Sequence, residues 1–457
     1  MKQYDVIIIG GGPAAIVTGI TIKKFFAGKT VLMIKEEAEG LVPCGIPYIF
    51  HQLSNDVDKN KMGPKPFIDQ GGEVIINRAV KVDKSNKLVT VKTGEQFGYE
   101  KLVFATGSVP SIPKFIPGHE LQNVFYIKKS YPYIHNLASK VDGFRNIVVV
   151  GGGFIGAEVA EQLAAANANV TLVESEPLCF LKAFSPELCA IATEAMKNTK
   201  VNVMTSTKVK EITGKNNTVK RVLLSDGNKI EADAVILAIG YQANSQLAKE
   251  TGLELNKYGD IHVDNYGRTT VKDISAVGDC AQTFGFLTGR SDNIKLASTA
   301  TAEARILGHN IFGIRIKKCI SGTLGVFSTE INGLAMAGAG ANESSAEEAN
   351  VEFVSSKFTS PDRHPGTLQG TSNLTVKLYA SPLDGSILGG EAWGGKSVGE
   401  IINIISMAIQ KSITVYELVS FQIGTHPLLT SSPVNNPIIR AAEEMIYKVM
   451  KAPKISL

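Results

Sequence analysis

Two glycine-rich loops and one cysteine are the residues of this chain whose types and spacing suit chemistry. The loops Gly10-Gly11-Gly12-Pro13-Ala14-Ala15 and Gly151-Gly152-Gly153-Phe154-Ile155-Gly156 each follow an apolar run, and Cys44 follows the first loop. In such loops the first glycine permits a tight strand-to-helix turn, the second lets backbone approach a pyrophosphate, and the third position lets helix and strand pack closely. Ala15 takes the third position in the first loop, which the pattern allows. Two dinucleotide sites and a thiol together indicate electron transfer.

The second loop is followed by the acidic residue that such a site needs. Glu174 comes directly after the apolar run 170–173, about 20 residues beyond the loop, where a carboxylate accepts the ribose hydroxyls. Its neighbours Ser175 and Glu176 provide no arginine for a 2′-phosphate, and a second carboxylate would repel one. We therefore predict NADH rather than NADPH at this loop.

The first loop departs from this pattern. The apolar run 31–34 is followed by Lys35, and the carboxylates come later, at Glu36 and Glu37. Glu36 has the required charge and lies at about the expected distance from the loop. We therefore favour Glu36 as the residue that contacts the adenosine ribose.

Length and composition limit the class of protein. A chain of 457 residues exceeds one hydrophobic core, so two or three domains are expected. The 47 basic and 43 acidic residues leave a net charge of +4 with no basic cluster among aromatics, which argues against a nucleic-acid partner. No apolar stretch reaches about 18 residues and no cleavable leader pattern opens the chain, so we expect no membrane insertion and a cytoplasmic location.

The cysteines are scattered, without Cys-x-x-Cys spacing. This pattern fits a reducing compartment and argues against a disulfide framework or a metal site. Apart from Cys44, we expect the cysteines to be packing residues: Cys179, Cys189, Cys280 and Cys319.

Strand and helix patterns alternate along most of the chain, which predicts an α/β fold with a doubly wound parallel sheet that carries a small antiparallel excursion. The first unit has strands near 5–9, 30–34, 87–91 and 102–104. The second unit repeats the plan from 146, with a helix over 154–167 and a closing strand that ends at Gly240. A further helix is predicted over 296–312, and alternating strands with a late helix follow from 321. We expect domain segments at 1–110, 111–243, 244–320 and 321–457.

The motifs, taken together, resemble those of the pyridine nucleotide-disulfide oxidoreductase flavoproteins over nearly the whole chain. The matching residues include both glycine loops, Ala105-Thr106-Gly107 and Gly278-Asp279. The resemblance implies two Rossmann-like domains that bind FAD and NAD(P), a return segment to the FAD domain, and a C-terminal α+β dimerisation domain that forms a homodimer.

The same resemblance assigns roles to single residues. Asp279 is expected to contact the FAD ribityl chain, Phe154 to gate the nicotinamide pocket, and Glu158 to lie near the flavin. The alternatives are a turn aspartate, a core aromatic and a solvated helix glutamate. Gly240 is counted with the nucleotide-binding residues.

Cys44 lies in the segment 41–48, and Ile49 stands where the two-cysteine reductases have a second cysteine. The segment resembles the single-cysteine branch of the family, which reduces small sulfur species such as coenzyme A disulfide, persulfide or polysulfide, or reduces O2 to H2O or H2O2. A helix N-terminus and a flavin would favour the thiolate of Cys44, the reactive form. The alternatives are a structural cysteine, and an electron carrier such as a rubredoxin reductase or a redox sensor.

Two further features follow from the resemblance. His426 and Pro427 match the His-Pro motif whose histidine serves the partner subunit's active site, although Ser431 replaces the glutamate that orients it. The alternative is a plain interface histidine. Lys23 and Lys24, late in the first helix, match basic positions of relatives that bind coenzyme A, while paired lysines at a helix end are commonly solvated charge.

Overall fold

The structure is a computed structural model, and it describes residues 1–318 and 322–452. Three main sheets organise the chain. The strands, in chain order, are β1 (Lys2–Ile9), β2 (Val31–Lys35), β3 (Gly40–Leu41), β4 (Lys61–Met62), β5 (Glu73–Ile76), β6 (Ala79–Asp83), β7 (Leu88–Val91), β8 (Gln96–Phe104), β9 (Ser108–Pro110), β10 (Val124–Tyr126), β11 (Asn146–Val150), β12 (Asn169–Val173), β13 (Asn202–Met204), β14 (Val209–Lys215), β15 (Thr218–Leu224), β16 (Lys229–Glu231), β17 (Ala234–Leu237), β18 (Tyr241–Ala243), β19 (Ile274–Ala276), β20 (Thr283–Phe284), β21 (Ser291–Asp292), β22 (Val326–Ile331), β23 (Leu334–Gly340), β24 (Val354–Pro361), β25 (Asn373–Ala380) and β26 (Ile387–Gly394).

Helices connect and cover these sheets. The α-helices are α1 (Pro13–Phe25), α2 (Lys65–Ile68), α3 (Tyr131–Val141), α4 (Phe154–Ala165), α5 (Pro186–Lys197), α6 (Gln246–Glu250), α7 (Ala297–Asn310), α8 (Glu343–Ala349), α9 (Val398–Gln410), α10 (Val415–Leu418) and α11 (Pro437–Lys451). Short 3₁₀ helices span Pro43–Gly45, Pro47–Phe50, Val57–Asn60 and Pro433–Asn435.

The first unit is a seven-stranded sheet with the order β5-β2-β1-β8-β7-β6, and β19 adds to β8. The strands β5, β2, β1, β8 and β19 are parallel, while β7 and β6 are antiparallel. The predicted parallel sheet with an antiparallel excursion is therefore confirmed. Helices α1 and α7 pack against each other, and Gly308 permits the close approach, because a Cβ there would lie 2.7 Å from Cβ of Thr21.

The second unit is a five-stranded parallel sheet with the order β10-β17-β11-β12-β13. It carries an antiparallel three-stranded sheet, β14-β15-β16, and a two-stranded link, β9-β18, joins it to the first unit. The central strands are buried apolar runs, as expected for a parallel sheet that is covered on both faces.

The third unit is an antiparallel sheet with the order β22-β23-β26-β25-β24, against which α9 and α11 pack. A buried polar cluster joins this unit to the second one. The carboxylate of Glu391 accepts hydrogen bonds from the backbone N–H of Ser185 at 2.5 Å, from its hydroxyl at 2.6 Å and from the Tyr379 hydroxyl at 3.1 Å. These bonds satisfy a carboxylate that is 1% exposed.

Some predicted boundaries differ from the observed ones for local reasons. Helix α4 ends at Ala165 rather than at residue 167, because Asn167 adopts a left-handed conformation, with a φ of 72°, that terminates the helix. Strand β2 includes Lys35, one residue beyond the predicted end. Cys179, Cys189 and Cys280 are buried, as predicted, and Cys319 lies outside the described residues.

Within residues 1–318 and 322–452, no helix combines the length and the apolar character that a bilayer crossing requires.

Candidate nucleotide sites and the Cys44 cavity

The first glycine loop has the geometry of a phosphate cradle. Gly10 has a φ of +130°, and a Cβ there would lie 2.0 Å from the Ala105 carbonyl oxygen, so only glycine fits. Gly12 is the N-cap of α1 and has no side-chain cap, and a Cβ on it would meet open space. The first-turn N–H groups of α1, which Pro13 begins, are therefore available to a pyrophosphate. Behind the loop, Ala14 and Ala15 are buried.

The second loop repeats this geometry. Gly151 has a φ of +106° and lies under the Ala238 carbonyl, while a Cβ on Gly156 would lie 1.8 Å from the Gly151 carbonyl oxygen. Gly153 is the uncapped N-cap of α4 and faces open space. Ile155, one residue into α4, packs on the core of the second unit. The chain thus builds two uncapped helix N-termini at the carboxyl ends of parallel strands, where dinucleotides bind.

Glu174 lies against the second loop. Its carboxylate accepts hydrogen bonds from the Gly152 N–H at 2.5 Å, from the Glu176 N–H at 2.8 Å and from the Ser175 hydroxyl at 3.0 Å. These bonds fix the carboxylate beside the loop, and its contact with the ribose of a dinucleotide stays a prediction.

Lys35 occupies the corresponding position of the first unit. The registers pair Ile9 with Ile34 and Val150 with Val173, so the residue after each pair, Lys35 or Glu174, comes at the same place. The Lys35 side chain is 4% exposed, and its amine donates to the Ala38 carbonyl oxygen at 3.0 Å. Burial lowers the pKa of this amine. The departure at Lys35 that the sequence shows is therefore confirmed, and its burial is the new observation.

The neighbouring carboxylates are divided between two roles. Glu37 accepts hydrogen bonds from the Ser130 hydroxyl at 2.5 Å and the Tyr131 N–H at 2.9 Å, at the start of α3. Glu36 is exposed, with its carboxylate 3.7 Å from the Arg78 guanidinium. Glu36 therefore stays the predicted ribose contact, since Glu37 is committed to a helix end.

Asp279, in the predicted segment 244–320, contacts one residue from each of the two preceding segments. Its carboxylate accepts hydrogen bonds from Lys129 at 2.6 Å and from the Ser108 hydroxyl at 2.7 Å. Burial acts to raise the pKa of Asp279, but the charge of Lys129 and these hydrogen bonds outweigh it and hold the pKa below its usual value. An ionised carboxylate in this place fits the hydroxyls of a ribityl chain. Lys129 was not predicted, because no motif marks it.

The residues around Asp279 form the backbone turns that the sequence predicts. Gly278 has a φ of +76°, and a Cβ there would lie 2.8 Å from Cβ of Ala14, which brings the turn onto α1. Gly107 and Gly240 also have positive φ angles, of 70° and 105°. The Thr106 hydroxyl donates to the Asn244 carbonyl oxygen at 2.6 Å and so ties the first unit to the link that follows the second.

Cys44 is exposed on the wall of a cavity of about 1020 Å³. The cavity is also lined by Thr283 and Glu303 of the first unit and by Phe327 of the third. A cavity of this size accommodates a flavin ring and part of a substrate.

The predicted activation of Cys44 by a helix N-terminus is wrong. Cys44 lies inside the three-residue 3₁₀ helix Pro43–Gly45, which is too short to supply a macrodipole. Desolvation by the surrounding protein and the charge of Glu158 raise the pKa of the thiol, while the charge of Lys129 acts in the opposite direction. The sequence could not show this, because Glu158 and Lys129 come from the second unit.

Glu158 lies close enough to Cys44 and Tyr48 for its charge to act on both. The Thr329 hydroxyl donates to the Glu158 carboxylate at 2.7 Å, and α4 packs on the 3₁₀ helix that carries Tyr48. Burial, with a smaller contribution from Glu161, raises the pKa of Glu158 to about 7. Burial and the nearby carboxylates also raise the pKa of Tyr48. Glu158 is therefore a buried, hydrogen-bonded carboxyl group with a raised pKa, rather than a solvated helix glutamate.

Phe154 belongs to a cluster of four aromatic rings. Its ring centroid lies 5.6 Å from that of Phe180, 5.9 Å from Phe184 and 5.2 Å from Phe327. Phe327 lines the Cys44 cavity, so the cluster connects the second glycine loop with the cavity wall. Phe154 thus has the packing of a core aromatic, and its role as a gate stays a prediction.

The remaining predicted residues lie apart from Cys44. His426 is exposed in the third unit, and no hydrogen bond or ring contact among the described residues joins it to Cys44. Lys23 donates to the Lys29 carbonyl oxygen at 2.9 Å, and the Lys24 amine lies 5.5 Å from the Phe25 ring centroid. Neither lysine lines the Cys44 cavity.

The raised pKa of Glu158 makes stability depend on pH. The carboxyl group has a pKa of about 7 in the fold against a usual value of 4.5, so the free energy of unfolding falls as pH rises through this interval, by up to about 3 kcal/mol. We expect Glu158→Gln to melt several degrees above the natural protein at about pH 8 and at the same temperature at about pH 4.5, measured by circular dichroism.

The matched control is Glu194→Gln, because Glu194 is exposed on α5 and has one long ion pair, 3.9 Å from Lys197. This variant should leave both melting temperatures within a degree or so. An equal change for Glu158→Gln at both pH values would contradict the prediction.

Comparison with known proteins identifies the family. Residues 4–304 match the family model described as pyridine nucleotide-disulphide oxidoreductase, and residues 326–437 match the dimerisation domain of that family. The chain is 29% identical over 457 residues to an NADH oxidase of Methanocaldococcus jannaschii, with 97% of this chain and 99% of that protein covered. It is 30% identical over 415 residues to an NAD(P)H coenzyme A polysulfide/persulfide reductase of Pyrococcus horikoshii, with 89% and 91% covered.

A solved structure is also similar to this chain. The NAD-dependent persulfide reductase from A. fulgidus matches with a TM-score of 0.89 and 28% identity, covering 97% of this chain and 83% of that one. With two uncapped glycine loops, an ionised Asp279, and Cys44 without a second cysteine, the protein is an NAD(P)H-dependent flavin oxidoreductase. The chain belongs to the pyridine nucleotide-disulphide oxidoreductase family.

Proposed function

We propose that this enzyme uses NADH to reduce a small sulfur acceptor, namely a coenzyme A disulfide, a persulfide or a polysulfide, through Cys44. The observation that carries the proposal is the exposed thiol on the wall of a cavity of about 1020 Å³. The relatives named as sulfur reductases, which match this chain along most of its length, support the same chemistry.

The chain supplies a binding site for each nucleotide. FAD is held by the first glycine loop, by the turns at Thr106 and Gly278, and by the carboxylates of Asp279 and Glu36. NADH is held by the second loop, with Glu174 at the ribose. Bound FAD supplies the two-electron exchange between NADH and oxidised Cys44.

Cys44 then performs the sulfur chemistry. Its thiolate attacks the sulfur–sulfur bond of the acceptor, a bond forms between the two sulfur atoms, and the other sulfur leaves as a thiolate or hydrosulfide. Two electrons and one proton then cleave the new disulfide or persulfide, which releases the second reduced sulfur and restores the Cys44 thiolate. Each acceptor therefore consumes one NADH.

Two charged groups of the second unit tune this thiol. Lys129 favours the thiolate, and Glu158 disfavours it while it is ionised. Because burial raises the pKa of Glu158 to about 7, part of the Glu158 population is protonated near neutral pH, which weakens the charge that opposes the thiolate.

His426 is assigned to the partner subunit of a homodimer. The dimerisation domain and the exposed apolar side chains around this loop support that assembly, since such a patch is normally covered in an oligomer. The apolar side chains of the loop are Phe421, Leu428, Leu429 and Val434. In the dimer, His426 protonates the leaving thiolate in the partner's active site.

Coenzyme A would place its phosphates near α1 by the resemblance. Lys24 is the better candidate contact, because the Lys23 amine already donates to the Lys29 carbonyl oxygen.

An NADH oxidase reaction is the second candidate function, supported by the relative from Methanocaldococcus jannaschii. In that reaction H2O2, formed from O2 with the two electrons of one NADH, would oxidise Cys44: the thiolate attacks one oxygen, the O–O bond breaks, and a sulfenic acid and hydroxide form.

Steady-state kinetics with each acceptor test the proposal. We expect anaerobic NADH oxidation with polysulfide or coenzyme A disulfide to exceed the aerobic rate without sulfur by about tenfold or more. Turnover with O2 alone would establish the oxidase instead. An electron carrier would be indicated by two results together. The natural protein would turn over no sulfur acceptor, and Cys44→Ser would reduce a small iron protein such as rubredoxin at the rate of the natural protein.

A further inference from the structure

A second His-Pro dipeptide, His364-Pro365, contacts the turn that carries His426. The His364 N–H donates to the Pro427 carbonyl oxygen at 3.0 Å, and the ring atom Nδ1 lies 2.9 Å from the Thr430 carbonyl oxygen. Because a carbonyl oxygen only accepts, Nδ1 of His364 carries the proton in this contact. His364 therefore holds the turn at both ends.

Hydrogen bonds within the turn also orient the His426 ring. The N–H of Thr430 donates to the His426 carbonyl oxygen at 3.0 Å, and the N–H of Leu428 donates to Nδ1 of His426 at 3.3 Å. Because Nδ1 accepts, the neutral His426 ring carries its proton on Nε2. This tautomer presents an N–H donor away from the turn, as protonation of a leaving thiolate requires.

Packing alone does not hold the turn. Leu428 and Leu429 are 54% and 71% exposed, and His426 is exposed as well. At the base of the turn, the Ser360 hydroxyl donates to the Ser431 hydroxyl at 3.1 Å, which anchors one end only. Half-buried His364 thus holds the turn from outside at two further points, Pro427 and Thr430.

We propose that His364 is a positioning residue for His426, and that its Nδ1–H fixes the turn that aims Nε2 of His426 at the leaving sulfur. The proposal rests on the proposed function, in which His426 is the proton donor. It adds a residue that no sequence motif marks.

Three variants of His364 separate the hydrogen bond from general structure. Asparagine places its amide nitrogen where Nδ1 lies, whereas glutamine places it one bond farther and alanine has none. We expect His364→Ala and His364→Gln to lower kcat with polysulfide by about tenfold, and His364→Asn to restore it to within about twofold. Reduction of bound FAD by NADH in a single turnover should be unchanged in all three, because the turn lies outside both nucleotide loops.

Histidine NMR supplies a readout that does not depend on activity. The chain has seven histidines, so ring-labelled protein gives few signals, and His426→Gln assigns the one of interest. We expect the His426 signal to shift or broaden in His364→Ala and to return in His364→Asn.

The outcomes are distinguishable. If His426→Gln leaves polysulfide turnover unchanged, the proton-donor role fails, and the positioning role with it. If His426→Gln slows turnover while His364→Ala does not, the proposed function stands and the positioning role is overturned. Equal losses in His364→Asn and His364→Ala would also overturn it.

Discussion

Replacing Cys44 with serine should lower turnover with any sulfur acceptor by at least about 100-fold, because a serine hydroxyl neither attacks sulfur nor forms a reducible bond to it. NADH should still reduce the bound flavin in a single turnover, since Cys44 lies on the cavity wall and not in either glycine loop. Stopped-flow absorbance measures the reductive step, and anaerobic NADH consumption with polysulfide measures the complete cycle.

A buried cysteine gives the matched control. Cys189 is fully buried in the second unit and its thiol lies 3.4 Å from the Phe184 carbonyl oxygen, away from the cavity. We expect Cys189→Ala to retain sulfur turnover and to lose only some stability. Unchanged turnover of disulfide, polysulfide and oxygen in Cys44→Ser would refute the mechanism, even though both nucleotide sites would remain.

The second large effect is expected at Glu174. Replacement with glutamine removes the charge that pairs with ribose hydroxyls and repels a 2′-phosphate, while the amide oxygen still accepts from the Gly152 N–H. A hydrogen bond to a charged group contributes about 1.5–3 kcal/mol, so kcat/KM with NADH should fall about tenfold to 100-fold. The value of kcat/KM with NADPH should fall less, so the ratio of kcat/KM for NADH to that for NADPH should decrease.

Initial rates with both coenzymes measure this change. The exposed Glu194 on α5 provides an equal change of charge in the same unit, and Glu194→Gln should alter neither rate. A natural protein that prefers NADPH by about tenfold or more would be incompatible with the role given to Glu174.

Features fixed by neighbours in sequence were predictable. Both glycine loops, the turn at Gly278 and the single cysteine are local patterns, and the alternation of strands and helices follows from short-range periodicity. Helix ends were less predictable, as at Asn167, where one left-handed residue ends α4 earlier than the apolar pattern indicates.

Features that depend on contacts between residues far apart in sequence were missed. The state of Cys44 depends on Lys129 and Glu158, which reach it from another unit, and no motif in either segment indicates that approach. His364 is likewise separated from His426 by two strands and two helices, and only the folded third unit brings them together. Lys35 was visible in the sequence, but its burial against Gly11 depends on the register of β1 and β2.

The position of Phe327 has a consequence for how the enzyme diversifies. This ring touches Phe154 beside the coenzyme loop on one side and faces the Cys44 cavity on the other. A substitution at Phe327 that enlarges the cavity also loosens the aromatic contact beside the second glycine loop. Changes of acceptor among descendants of this enzyme should therefore be accompanied by compensating changes in the rings that touch Phe327, so that the two half-reactions evolve together.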